Sequence, residues 1–285
     1  MTRAAVVGLG LIGGSAALAL HARGYDRDLA ARRRARERGI ETAESLAEAV
    51  RDADLLLLAV PTEETPAVMR EAAAAAPEAL VTDAASLKKP ITAAAAALPA
   101  SVRFVGGHPI AGSRTPGLDG ARADLFSGRP WLIVPTERSD AAAIAKIEGM
   151  VGRMGARPFV MDADRHDTVM MWVSHLPHVA AAALARVVHA TAGEEIERFA
   201  GRGLLDTTRI AQRPSALALE LALADPEALA AGIETMREEL ARIAENLRRH
   251  DAAKLLAGFQ EAARARGAFE NAAPAARQKP PGAGD

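Results

Sequence analysis

The sequence predicts an α/β fold: a doubly wound, mostly parallel sheet followed by an all-helical domain. Three observations carry that expectation. Short, almost wholly apolar runs alternate with alanine-rich helical stretches through the first half of the chain. Beyond about Asp162 the strand signal stops and only helical patterns follow. A glycine-rich turn, Gly8-Leu9-Gly10-Leu11-Ile12-Gly13, joins the first apolar run to the first helical stretch.

The elements follow in order. Residues 3–8, 54–61, 79–83, 103–107, 131–135 and 157–161 read as strands. Their apolar character is that of a parallel sheet covered on both faces. Helical stretches between them include 64–76 and 140–153. Past Asp162, helices are expected over 165–190, with Pro177 interrupting, and over 193–212, 225–248 and 251–267. Within 225–248, Ile233, Met236, Leu240, Ile243 and Leu247 recur at spacings of three and four and form one apolar helix face. That face suits a helical core or a dimer interface. The expected division is a sheet domain over 1–162, a helical domain over 163–270 and a disordered tail, rich in Pro, Gly and Ala, over 271–285.

Composition narrows the function. The 285 residues suffice for two ordinary domains, and 49% hydrophobic residues can build cores for both. The 35 basic and 36 acidic residues nearly cancel, so charge does not call for nucleic acid or an anionic membrane. Arg32, Arg33, Arg34, Arg36 and Arg38, interleaved with alanine, read as the solvated face of a helix. Without cysteine, disulfides, thiolate catalysis and cysteine-ligated metals are excluded, and no metal site is expected. Uninterrupted apolar runs stay short of the ~18 residues of a membrane span. The chain start reads as a strand rather than a signal peptide. A cytoplasmic protein without nucleic-acid or membrane partners is the expectation.

The glycine turn follows an expected strand and opens an expected helix. In that context GxGxxG is a dinucleotide fingerprint, and the sheet domain is of Rossmann type. Gly8 permits the tight turn, Gly10 lets backbone approach a pyrophosphate, and Gly13 lets helix pack on strand. Leu11 and Ile12 belong to the same cradle, whose helix N-terminus offers N–H groups to phosphate. Val60 and Pro61, ending the run 54–61, complete the cofactor set. An acidic residue is expected ~20 residues beyond the glycines. The only well-placed candidate, Asp26, comes early, so the first helix and second strand are expected to be short. Asp26 would hold ribose hydroxyls and favour NAD, whereas Arg27 beside it would suit the 2′-phosphate of NADP.

Four further positions carry chemistry. His108 follows a strand and a glycine pair, at the strand end where such sheets bind ligands, and an imidazole there suits a general base. Ser86 lies just past another strand end, as a hydrogen-bond donor or as a helix N-cap. His175 and His178 share one helical face and read as substrate contacts or interior histidines. Arg209, beside Thr207 and Thr208, needs an anion, which Asp206 or a substrate carboxylate would supply.

Taken together, "GLGLIGGS", "TDAASLK", "GGHPIAGS", "ADLFSGRPW", "SHLPH" and "DTTRIA" stand in the order and spacing of the prephenate and arogenate dehydrogenases of tyrosine biosynthesis. The chain resembles that family over about residues 3 to 270. The resemblance implies a Rossmann-type domain followed by a helical dimerisation domain, NAD as cofactor with NADP as the alternative, a small cyclohexadienyl substrate and a homodimer. It places the catalytic histidine at His108, the active-site serine at Ser86, a substrate histidine at His178 with His175 beside it, and a carboxylate-binding arginine at Arg209. His108 would take the C4 hydroxyl proton as hydride leaves C4, and loss of CO2 would aromatise the ring. One departure follows Arg209: the chain reads "AQRPSALALEL", with Leu217 where the family has a pocket tryptophan. That bears on substrate identity, so arogenate or an amino-substituted prephenate is the alternative substrate. Hydroxyacid-type dehydrogenases of similar plan use a lysine in the helical domain, and 162–248 contains none. The remaining alternative is a non-catalytic dinucleotide-binding homologue.

Overall fold

The structure, a computed structural model, describes residues 3–113, 115–212 and 215–272, and the side chains of 192–197 and 215–217 fall outside the description. Most of the tail expected to be disordered, and the side chain of Leu217, therefore lie outside the described residues. The chain divides into two compact units, residues 1–166 and 167–270.

The first unit alternates strand and helix. In chain order it contains β1 (Ala4–Val7), α1 (Leu11–Leu20), β2 (Arg23–Tyr25), α2 (Leu29–Glu37), α3 (Leu46–Val50), β3 (Leu55–Leu58) and α4 (Thr65–Ala75). It continues through β4 (Leu80–Asp83), α5 (Lys89–Ala96), β5 (Arg103–Pro109), β6 (Pro130–Pro135), α6 (Ala141–Arg153), β7 (Arg157–Val160) and the start of α7 (Ala163–Met170). The sheet order is β2-β1-β3-β4-β5-β6-β7. Pairing is parallel from β2 to β5, antiparallel between β5 and β6, and parallel again between β6 and β7. Beyond β2, Thr42 makes a single parallel bridge to Gly24. Counting that bridge as a vestigial strand restores the doubly wound order with its switch point between β1 and β3.

All six strands expected from the sequence are present. Their apolar character is explained by double coverage: Leu55 and Leu57 point into one buried cluster, Leu56 and Leu58 into the other. Burying each of these leucines contributes about 1.5–3 kcal/mol. The edge strand β7 is an exception, with all four residues exposed.

The short segment before Asp26 has a specific geometry. α1 stops after ten residues at His21, which adopts the left-handed conformation at φ 50° and sends its N–H back to the Ala17 carbonyl. Ala22 donates to the same carbonyl at 3.0 Å. That compact stop returns the chain at once to the three residues of β2.

The arginine-rich helix meets the expectation at Arg33, Arg34, Arg36 and Arg38, which are exposed, and departs from it at Arg32. α2 does not present a uniformly solvated face. Arg32 is buried, donates to the Asp26 carbonyl at 2.7 Å and lies over the Tyr25 ring at 5.5 Å. Arg36 donates to the Thr42 hydroxyl at 2.5 Å, and Arg38 to the Ala121 carbonyl at 2.6 Å. The Arg32 stem is buried beneath its charged head, and the heads of Arg32 and Arg38 bind backbone oxygens whereas that of Arg36 binds the side chains of Thr42 and Glu44.

The second unit is helical: the rest of α7, then α8 (Leu176–Phe199), α9 (Arg202–Thr208), α10 (Ser215–Leu223), α11 (Pro226–Arg248) and α12 (Ala252–Ala272). The boundaries expected at 165–190 and 193–212 are corrected. Met171–His175 forms a π-helical turn and α8 runs from Leu176 to Phe199. Pro177 follows the π turn within a continuous helix, and the wider turn accommodates its ring and its missing N–H. The real break is at Ala200 and Gly201, with Gly201 in extended conformation ahead of α9. The helical stretch Ala163–Thr191 is long and apolar enough, by length and composition, to cross a membrane, and a third of its most apolar window is buried. The stripe expected on α11 is present and largely exposed, with Ile233 37%, Met236 38%, Leu240 59% and Leu247 55%, while Ile243 is half-buried.

Candidate active site

The glycine turn is built as its residue types require. Gly8 has φ +93°, and a Cβ there would lie 2.4 Å from the Ala59 carbonyl oxygen. At Gly13 a Cβ would lie 1.8 Å from the Gly8 oxygen, so only glycine lets α1 meet the turn. Gly10 is different: its φ is −79° and nothing stands within 4 Å of a Cβ. That open space faces a cleft of about 760 Å³ bordered by Gly8, Gly10, Asp26, Val60, Pro61 and Glu64. Gly10 is also the N-cap of α1 and provides no side-chain cap. An uncapped helix N-terminus beside open space is what a pyrophosphate needs, so the cradle fits a dinucleotide. Leu11 and Ile12 pack half-buried against the core beneath, and Gly13 is buried with them.

Asp26 directly follows β2 on the rim of this cleft. One carboxylate oxygen accepts from Leu9 N at 2.8 Å, the other from Asp28 N at 2.9 Å. The carboxylate thus braces the glycine turn, and its remaining lone pairs still suit ribose hydroxyls. Arg27 reaches across to Glu64 at 2.8 Å, near the start of α4. Sequence reasoning missed Glu64 on the rim of this cleft and Arg32, which supports Asp26 from behind through its carbonyl. Their partners lie in other elements, and no local pattern marks them.

The second constellation gathers at the carboxyl ends of β4 and β5. His108 lies near the end of β5, half-buried, opposite Leu132 of β6. Asp83 and Lys88 behind it are wholly buried and form an ion pair. Gly107 is gripped by both: its N–H donates to Asp83 Oδ1 at 3.0 Å, and its carbonyl accepts from Lys88 Nζ at 2.7 Å. Asp83 also accepts from Ala85 N at 2.9 Å. A buried ion pair saturated in this way is strongly oriented, and it fixes the backbone from which His108 projects. The His108 ring meets a second imidazole, with Nδ1 2.9 Å from Nε2 of His166 and ring centroids 5.1 Å apart at 55°. Ser86 is half-buried between β4 and α5. It is not a helix cap, because the N-cap position of α5 belongs to Lys88. Asp83, Lys88 and His166 were not singled out from the sequence. "TDAASLK" did contain the signal for the first two: opposite charges on either side of a strand end.

In the helical unit, His175 closes the π turn and His178 lies in the first turn of α8, both buried. Arg209 begins a 3-10 turn, Arg209–Gln212, and is exposed. Among the described residues its guanidinium forms no ion pair, with Asp206 or any other carboxylate. The anion it calls for is thus not supplied by a neighbour on its own helix.

A family model described as the nucleotide-binding domain of prephenate dehydrogenase matches residues 17–160, and one described as its dimerization domain matches 162–261. The chain belongs to the prephenate dehydrogenase family. That family is one of NAD-dependent oxidoreductases. The chain is 31% identical to the prephenate dehydrogenase of Bacillus subtilis, covering 90% of this chain and 73% of that one. It is 33% identical to the cyclohexadienyl dehydrogenase of Zymomonas mobilis, covering 92% and 94%. Its structure matches prephenate dehydrogenase from Aquifex aeolicus in complex with hydroxyphenyl propionate and NAD+, with a TM-score of 0.86 at 27% identity, over 94% of this chain and 98% of that one. Membership in the family accounts for the sheet unit, the helical unit and the dinucleotide cradle together.

Proposed function

We propose that the protein is a prephenate dehydrogenase, converting prephenate to 4-hydroxyphenylpyruvate by NAD-dependent oxidative decarboxylation. One observation carries the reading. His108, its backbone clamped by a buried ion pair, stands on the edge of the sheet where the dinucleotide turn also opens, since β1, β3, β4 and β5 run parallel. Neutral His108 accepts the proton of the C4 hydroxyl, and Ser86 orients that hydroxyl or the imidazole. Bound NAD+ supplies the hydride acceptor. Gly8, Gly10, Leu11, Ile12 and Gly13 hold the pyrophosphate, Asp26 the ribose, and Val60 and Pro61 wall the cleft. From the helical unit, Arg209 takes a substrate carboxylate and His178, with His175, the substrate's polar groups; the motifs "SHLPH" and "DTTRIA" support these roles.

We assign the dinucleotide-binding domain to 1–162 and the helical substrate and dimerisation domain to 163–270. The exposed stripe on α11 supports a homodimer through the helical domain, because contiguous exposed apolar faces mark interaction sites. The same need for a partner face explains the long apolar helix, so a cytoplasmic enzyme remains the reading. With Leu217 where the family has a pocket tryptophan, arogenate or an amino-substituted prephenate is the alternative substrate. His108→Asn tests the central role. Turnover should fall about 10²–10⁴-fold with NAD+ affinity intact, and near-normal turnover rejects it.

A further inference from the structure

His166 belongs to no motif singled out above, yet it is wholly buried and meets the side chain proposed as the base. Its position is held firmly. It lies in the first turn of α7, where its N–H donates to the Asp162 carbonyl at 3.0 Å and Asp162 Oδ1 accepts from Arg165 N at 2.8 Å. Lys89 at the start of α5 pairs with Asp164 at 3.1 Å, tying that turn to the sheet unit.

The contact between the two rings has a consequence for tautomers. A neutral imidazole has one donor nitrogen and one acceptor. The 2.9 Å separation between His108 Nδ1 and His166 Nε2 is a hydrogen bond in one of two senses. If His166 donates, His108 carries its proton on Nε2 and cannot accept another there. If His108 donates from Nδ1, its Nε2 bears the lone pair that a base needs. In that sense the proton of the substrate hydroxyl moves to His108 Nε2, and the imidazolium formed still donates from Nδ1 to His166, now through a charge-assisted bond.

We propose that His166 is a positioning residue for the base, accepting the Nδ1 proton of His108 at Nε2 and so fixing both the orientation and the tautomer that leave His108 reactive at Nε2. This rests on the reading of His108 as the base. His166 touches neither substrate nor cofactor in this account and acts only through His108.

The experiment pairs two near-isosteric variants. In His166→Gln the amide oxygen reaches the place of Nε2 and can accept from His108; in His166→Asn it falls short. Steady-state kinetics with NAD+ and prephenate, NAD+ binding and thermal melting are measured for both, with His108→Asn alongside. The expected result is a kcat for His166→Asn lowered about 10- to 100-fold, as when a metal-bound histidine loses the hydrogen-bond partner that fixes its tautomer. Affinity for NAD+ and the melting temperature stay near wild type, and His166→Gln recovers most of kcat. Equal kcat in the two variants, whether both high or both low, overturns the proposal. So does a loss that follows the melting temperature, which assigns His166 to the core. If His108→Asn remains active, the underlying reading of the base fails instead.

Discussion

Gly107 is held from both sides by one buried ion pair, and through it the neighbouring His108 is set in place. Removing half of that pair leaves the other charge without its counter-ion in a site that water does not reach. Lys88→Met should therefore cost about 3–5 kcal/mol of stability, read by urea denaturation. A change below about 1 kcal/mol would mean that the pair is not buried as described. The same residues show what the sequence left hidden. The strand-end positions of His108 and Ser86 were legible because each has small neighbours. Lys88 and His166 were not, because their contacts with Gly107 and His108 cross 19 and 58 residues of chain. Arg32 was misread for the same reason. A helical pattern shows which side of α2 is polar but not that the β2 end packs over it.

At the level of elements, the glycine turn separates two kinds of requirement. Gly13 has no room for a Cβ, whereas Gly10 has room and an ordinary φ. Gly13→Ala should thus lower the melting temperature and abolish NAD+ binding together. Gly10→Ala should keep the melting temperature and lose NAD+ affinity alone, as calorimetric titration would show. Equal melting losses would place Gly10 in packing rather than in the cradle. The strands were legible as apolar runs because a doubly covered sheet leaves no polar face. The π turn before Pro177 was not, since proline reads as an interruption in any helical pattern. Helix starts carry their own pH dependence. At the start of α12 the Asp251 carboxyl is held below its ordinary 3.8 by the backbone N–H of Lys254, and further by the Lys254 side chain. A depressed folded value means that this stabilisation is present above pH 3.8 and is lost as pH falls through the lower folded value. Wild type and Asp251→Asn should differ in stability at neutral pH and converge in acid. A constant offset would contradict the assignment.

For the whole molecule, the apolar stripe of α11 and the exposed Leu256 and Phe259 of α12 are more hydrophobic surface than a monomeric helical domain ordinarily leaves to water. In the proposed homodimer, Leu240→Glu should shift the dimer to monomer in sedimentation velocity, and an unchanged dimer would place the interface elsewhere. Domain order and class were legible at this scale because the switch from strand to helical patterns near Asp162 is abrupt. The central claim joins the dinucleotide cradle to a fixed imidazole base in one enzyme. Its most direct test follows absorbance of NADH when NAD+ and prephenate are mixed with wild type and with His108→Asn. The account predicts NADH formation matched by 4-hydroxyphenylpyruvate in wild type, and a rate lower by about 10²–10⁴-fold in the variant. Equal rates for the two, or no NADH from prephenate in wild type, would contradict it.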